Sequence, residues 1–192
     1  MEDNLRPNES EIEFLNLAYN RFYDLFDEVM NDSFWEKDGK YRFSREKDGF
    51  GVYSEILHYE PIQWVIEAIK KNRPPMEGEI GDKLFRFIRN IIFHFPFFDT
   101  WDDVWFNKRL VNCYQENQFI DRFMENSKGR QEIKYRFWEE DKKLMTYLSI
   151  NFPEAYDENK IYLKDMLSEK EGVKFSFIMI KKIIDTQVEE IG

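Results

Sequence analysis

Apolar residues recur at intervals of three and four along almost the whole chain, and this spacing restricts the fold more than any other feature. Such a stripe winds onto one side of an α-helix and must be buried against another element, whereas a half-buried strand alternates at every second residue. Phe14, Leu17, Ala18, Phe22, Leu25, Phe26 and Val29 show the pattern behind Ser10, a residue type that caps helix starts, so the spacing predicts a first helix over 10–30. A second is predicted over 53–71, interrupted at Pro61 and stopped by Pro74-Pro75, and a third over 81–96. Thr100 with Asp103 three residues on opens a fourth that runs to Met124. Ser127-Lys-Gly and Asn151-Phe-Pro153 bracket a fifth, and shorter amphipathic segments occupy 160–167 and 174–188. No repeat or low-complexity linker divides the chain, and 192 residues suffice for one sizeable core, so residues 1–192 read as a single all-α domain.

One segment departs from the helical spacing. Phe34-Trp-Glu-Lys-Asp38-Gly39-Lys-Tyr-Arg-Phe43 sets an Asp-Gly pair between aromatic-rich stretches, which predicts a small β-hairpin or structured loop near residues 34–43. A solvated insertion is the simpler reading of it. The alternative is an RNA contact, with bases stacked on Trp35 and Tyr41 beside Lys40, Arg42 and Arg45.

Composition adds bounds. With 19 Phe, 10 Tyr and 5 Trp, the chain holds more aromatic area than one core of this size needs, which implies a subunit interface or a stacking surface. The single Cys113 cannot form an internal disulfide, the opening residues are acidic where a secretory signal is basic and then apolar, and no apolar run approaches membrane-spanning length. These features predict a cytoplasmic protein with no membrane partner. A net charge of −10 argues against general affinity for nucleic acid, so any contact with phosphates must be concentrated in a local patch.

Such a patch is available on the third helix. In Lys83-Leu-Phe-Arg-Phe-Ile-Arg-Asn-Ile-Ile-Phe-His94-Phe-Pro96, an advance of about 100° per residue puts Lys83, Arg86, Asn90 and His94 on one stripe, with Arg89 on its shoulder. Leu84, Phe85, Ile88, Ile91, Ile92 and Phe95 cover the opposite side and should face a core, while Phe87 and Phe93 flank the polar stripe. Pro96 stops the helix and leaves His94 in the last turn, where the negative end of the helix dipole favours an imidazolium. Arginine offers a planar fork that matches two phosphate oxygens, histidine moves protons near neutral pH, and the asparagine can orient either. The other reading is structural: Arg89 pairs with a core carboxylate and His94 caps a helix end.

Arg89-Asn90-x-x-x-His94 resembles the signature of the HEPN superfamily (higher eukaryotes and prokaryotes nucleotide-binding), and the resemblance covers the helix from Gly81 to Pro96. It implies an α-helical bundle that dimerises so that two copies of the motif face one another. It also implies, for catalytic members, a metal-independent endoribonuclease that uses no cofactor, and many such proteins act in toxin–antitoxin or antiviral defence. On this resemblance the expected fold is an all-α, HEPN-like bundle with the small hairpin insertion, forming a homodimer that acts on RNA and has a possible cognate antitoxin. Arg89, Asn90 and His94 are the expected catalytic residues, Lys83 and Arg86 the substrate-binding ones, and no metal is expected. The alternative is a non-catalytic HEPN-like module that binds protein or nucleotide.

Other constellations carry less chemistry. Glu55-Ile-Leu-His58 matches one Glu-x-x-His element of di-iron bundles, which need two such elements and two more carboxylates, so His58 reads as a core or boundary histidine. Asp99, Asp102 and Asp103 sit where a helix start welcomes negative charge. Glu139-Glu-Asp-Lys-Lys143 reads as a solvated helix face. One cysteine and two histidines give little support to zinc clusters or thiol catalysis.

Overall fold

A computed structural model describes residues 7–60, 75–113, 118–130, 133–139 and 142–191. Helix α1 spans Glu9–Met30 and is capped by Asn8 rather than Ser10. The Asn8 side chain accepts from the Glu11 amide at 3.0 Å and the Glu11 carboxylate accepts from the Asn8 amide at 2.7 Å, so two orphan donors are satisfied reciprocally. Leu15, Tyr19, Phe22, Leu25, Phe26 and Val29 are buried, but Phe14 and Leu17 of the expected stripe are exposed.

The Asp38-Gly39 pair does not turn a hairpin. Residues Asp32–Glu36 form a 3₁₀ turn, and α2 spans Gly39–Leu57 with Asp38 as its cap, accepting from the Lys40 amide at 2.9 Å. An Asp carboxylate serves a helix start as readily as a tight turn. Burial of Phe43, Phe50, Tyr53 and Ile56 at helical spacing decides between them. The cations of this stretch have carboxylate partners: Lys40, at the surface, pairs with Asp99, while the more buried Arg42 pairs with Glu169 and Arg45 with Glu28. The helix predicted over 53–71 falls partly on α2, and residues 61–74 lie outside the described ones.

Helix α3 spans Pro75–His94 and ends before Pro96 as expected. The chain then departs from the predicted fourth helix. It forms a 3₁₀ turn at Trp101–Asp103, strand β1 at Trp105–Phe106, helix α4 at Lys108–Cys113 and helix α5 at Gln118–Ser127. Tertiary contacts override the local period here. Trp101 is buried and donates its indole N–H to the Leu167 carbonyl at 3.2 Å, and β1 pairs antiparallel with the strand at Ile161–Tyr162, which becomes β4. Thr100 donates its hydroxyl to Asp103 at 2.7 Å and does not cap the backbone.

The β-hairpin of this protein lies where a fifth helix was expected. Strands β2 (Ile133–Glu139) and β3 (Leu144–Ile150) pair antiparallel, with Arg136 opposite Tyr147 and Trp138 opposite Met145. Helix α6 (Leu163–Met166) and the long helix α7 (Glu169–Ile191) close the chain. The described residues are therefore mostly helical, with two small two-stranded sheets.

Aromatic contacts join the helices. Phe177 of α7 lies 5.4 Å from Phe22 of α1 and 5.8 Å from Phe50 of α2, ring centre to ring centre. Phe85 of α3 meets Tyr53 of α2 at 4.4 Å, Phe87 of α3 stacks on Phe123 of α5 at 4.5 Å, and Phe137 of β2 packs on Phe175 of α7 at 5.6 Å. Among the described residues, no helix is long and apolar enough to cross a membrane.

Candidate functional site

The buried side of α3 is the expected one: Leu84, Phe85, Ile88, Ile91, Ile92 and Phe95 are all in the core. Lys83 and Arg86 are exposed, and His94 is half-buried as the last residue of the helix. Phe87 departs from expectation. It is buried between Phe123 and Phe106 of its own chain, so of the two aromatic flanks only Phe93, 42 % exposed, remains on the surface. Arg86 lays its guanidinium over the Phe119 ring of α5 at 4.7 Å.

Arg89 is the group with unfinished chemistry. It is half-buried; its Nη1 donates to Asn90 Oδ1 at 3.1 Å, and its Nη2 donates to Ser54 Oγ of α2. Its Nε is buried with no acceptor, and among the described residues no carboxylate pairs with the guanidinium. The core carboxylate that a purely structural arginine would want is thus not among its partners. Burial first, and then the charge of Arg86, hold the Arg89 guanidinium below its usual proton affinity, with Glu55 and Tyr53 opposing. An arginine stays charged through such a shift. Among the described residues, the partners of this cation are two neutral oxygens, and one unsatisfied N–H costs on the order of 1–3 kcal/mol.

Asn90 is only 7 % exposed and turns its carbonyl oxygen to Arg89, so it fixes the arginine fork from within the same turn. One turn later, His94 stands at the negative end of the helix dipole. The neighbouring helix supplies parts that sequence reading missed. Ser54 anchors Arg89 from α2. Lys47, seven residues earlier on α2, donates to the Phe98 carbonyl at 2.8 Å and to the Pro96 carbonyl at 3.5 Å, clamping the exit of α3. Gly51, between them, lets the Phe93 ring come close: a Cβ there would sit 3.4 Å from the ring. Lys47, Gly51, Ser54 and His58 recur at helical spacing, and that polar and small stripe is the signal that was available.

The remaining candidates have structural roles. His58 caps the end of α2, and its Nδ1 lies 2.7 Å from the Ser54 carbonyl oxygen, which can only accept, so Nδ1 carries the proton. Asp99 pairs with Lys40, and Asp103 accepts from Thr100. Glu139 is not on a solvated helix face. It is buried in β2, accepting from the Thr146 hydroxyl at 2.6 Å and from Lys174 at 3.4 Å, because the hairpin folds that side of the strand onto α7. The chain matches no protein-family model, no curated protein and no solved structure.

Proposed function

We propose that this protein is a HEPN-like, metal-independent endoribonuclease with its catalytic groups at Arg89, Asn90 and His94. The observation that carries the reading is the Arg89 guanidinium, half-buried, without a carboxylate partner among the described residues and with an unsatisfied Nε, one turn before a histidine at a helix end. A phosphodiester is a good partner for such a cation, since its two non-bridging oxygens match the planar fork.

In the proposed reaction His94 takes the proton of the ribose 2′-OH. The O2′–P bond forms and the P–O5′ bond breaks, leaving a 2′,3′-cyclic phosphate and a 5′-hydroxyl. Arg89 stabilises the charge that builds on the phosphorane oxygens, and Asn90 holds the fork at the angle required. Lys83 and Arg86, exposed on the same helix, bind neighbouring phosphates of the strand. A homodimer that opposes two such helices supplies the second histidine, which protonates the departing O5′. Toxin–antitoxin or antiviral defence in the cytoplasm, with a cognate antitoxin as partner, is the setting this chemistry fits.

One observation favours a second reading, a non-catalytic helical module that binds protein or nucleotide. Arg89 bridges α3 to Ser54 of α2 and Asn90 is buried, so both also hold the bundle together. The two readings separate on cleavage of single-stranded RNA in EDTA, with product ends identified. The ribonuclease predicts cleavage that persists, leaves a 5′-hydroxyl, and is abolished in Arg89→Ala and His94→Ala while helical content and dimer are retained. Asn90→Ala should reduce activity less. Products with a 5′-phosphate, strict dependence on a divalent ion, or no cleavage by the unaltered protein would sink the mechanism.

A further inference from the structure

Helices α2 and α3 meet in three successive rungs, and the middle one carries a ring whose exposure the packing does not explain. Ser54 of α2 accepts from Arg89 of α3, Gly51 of α2 faces Phe93 of α3, and Lys47 of α2 donates to the Pro96 and Phe98 carbonyls just past the end of α3. The spacing of three and four on each helix lines these rungs along one groove. Phe93 therefore stands one turn beyond Arg89, about 6 Å further along the axis.

The ring is met at its edge. A Cβ on Gly51 would lie 3.4 Å from Cζ and 3.9 Å from Cε1 of Phe93, so α2 touches the far end of the ring, and can do so because residue 51 has no side chain. Phe93 stays 42 % exposed, and among the described residues it stacks on no other ring. A face is thus open beside the adjoining rung, where the Arg89 guanidinium keeps a buried Nε without an acceptor and, among the described residues, has no carboxylate partner.

We infer that Phe93 is a base-stacking subsite: the nucleotide whose phosphate sits at Arg89 lays its base on the Phe93 ring. A nucleotide fits both rungs because one sugar joins an anion suited to a planar fork and a flat π-face suited to a phenyl ring. An acidic peptide would meet the fork alone. A phenyl face stacks on any base and reads no hydrogen-bond pattern, so the subsite accepts an unpaired base with little regard to sequence and rejects a duplex, whose bases are already stacked on one another. The inference rests on the phosphate-binding role proposed for Arg89 and adds the substrate class, single-stranded RNA.

The test is titration calorimetry of the full chain with adenosine 5′-monophosphate and with ribose 5-phosphate, which share sugar and phosphate and differ in the base. Neither has a phosphodiester to cleave. The unaltered protein should bind the nucleotide about tenfold more tightly than the sugar phosphate, the scale of one stacked base. Phe93→Leu, which keeps an apolar side chain but no flat face, should bring the two ligands within about twofold of each other without changing the sugar phosphate, and Phe93→Tyr should keep the advantage. Arg89→Ala should weaken both ligands, and Tyr147→Ala, which removes an exposed ring on β3, should alter neither. No binding of the nucleotide, equal affinity for the two ligands, an advantage that survives Phe93→Leu, or nucleotide binding indifferent to Arg89→Ala would overturn the subsite. So would loss of self-association in Phe93→Leu with nucleotide binding unchanged, which would make the ring a subunit contact. RNA cleavage in EDTA is scored separately. A chain whose base advantage depends on Phe93 but which never cleaves retires the ribonuclease alone, and one that cleaves while Phe93→Leu keeps the base advantage retires the subsite alone.

Discussion

Two glycines two residues apart on α2 should respond to the same substitution with opposite signs. A Cβ on Gly49 would lie 2.2, 2.8 and 3.2 Å from three ring carbons of Phe177. Carbon atoms rest about 3.5–4.0 Å apart, so the ring would have to retreat by more than about 1 Å. Phe177 is fully buried and held by Phe22 and Phe50, which leaves it nowhere to go. Overpacking of this kind costs about 1–3 kcal/mol, and the depth of the overlap puts Gly49→Ala at the upper end; alanine's better helix propensity returns about 1 kcal/mol. The net expectation is a loss of about 2 kcal/mol. Among the described residues a Cβ at Gly51 meets Phe93, at 3.4 Å, and that exposed ring can swing into solvent, so for Gly51→Ala the propensity gain of up to about 1 kcal/mol survives. Urea denaturation followed by far-ultraviolet circular dichroism reads both, with the midpoint moving down for Gly49→Ala and up for Gly51→Ala at constant slope. Thermal midpoints should separate by roughly 6–12 °C for the expected difference of about 3 kcal/mol. Shifts of the same sign, or a neutral Gly49→Ala, would refute the close approach of α2 to α7.

Other expectations follow from buried groups. Glu46 is buried with no donor for either oxygen; burial first, and then the neighbouring Glu169, raise its carboxyl well above the usual range, with Arg42 opposing. The folded chain then binds a proton more tightly there than the unfolded chain, so stability falls as pH rises above the ordinary carboxylate range toward the raised value. Glu46→Gln, which keeps the shape of the protonated acid, should remove that slope and stabilise the protein at neutral pH, and urea midpoints measured from pH 4 to 8 that show a destabilised variant at pH 7 would count against it. Phe87→Ala should cost about 3–5 kcal/mol because the ring is enclosed by Phe106 and Phe123, whereas Phe93→Ala should cost less than about 1 kcal/mol in chemical denaturation. Asp38→Ala should cost about 1 kcal/mol as the loss of a helix cap, read as a lower thermal midpoint. Ser54→Ala should lower RNA cleavage about tenfold or more while preserving the helical spectrum, since it frees one arm of the Arg89 fork; unchanged turnover would remove Ser54 from the site.

Local sequence was enough for features whose cause is local. Apolar spacing and Pro96 determined the core side and the end of α3, whereas Asn90 of the expected polar stripe is buried. The apolar run gave the body and the end of α1, but the cap lies two residues earlier than Ser10, at Asn8, because the Asn8–Glu11 pair closes a reciprocal capping box. Ile133-Lys-Tyr-Arg-Phe137 alternates as a strand does, but the segment was read as a helix because the turn residues at both ends of 127–153 suit a helix and a hairpin alike.

The tertiary structure decided what a neighbour supplies. Asp38-Gly39 is compatible with a tight turn or a helix cap, choices that differ by about 1 kcal/mol locally, and burying Phe43 and Phe50 outweighs that difference. Trp101 and Phe106 broke the predicted fourth helix for the same reason, since each gains more from the core than the helix period could return. Phe87 was assigned to a surface by its angle on the helix, yet α5 covers that angle. The state of Arg89 was the least legible of all. Whether a half-buried guanidinium meets a carboxylate or a serine depends on which residue of α2 stands opposite, and no spacing within α3 contains that information.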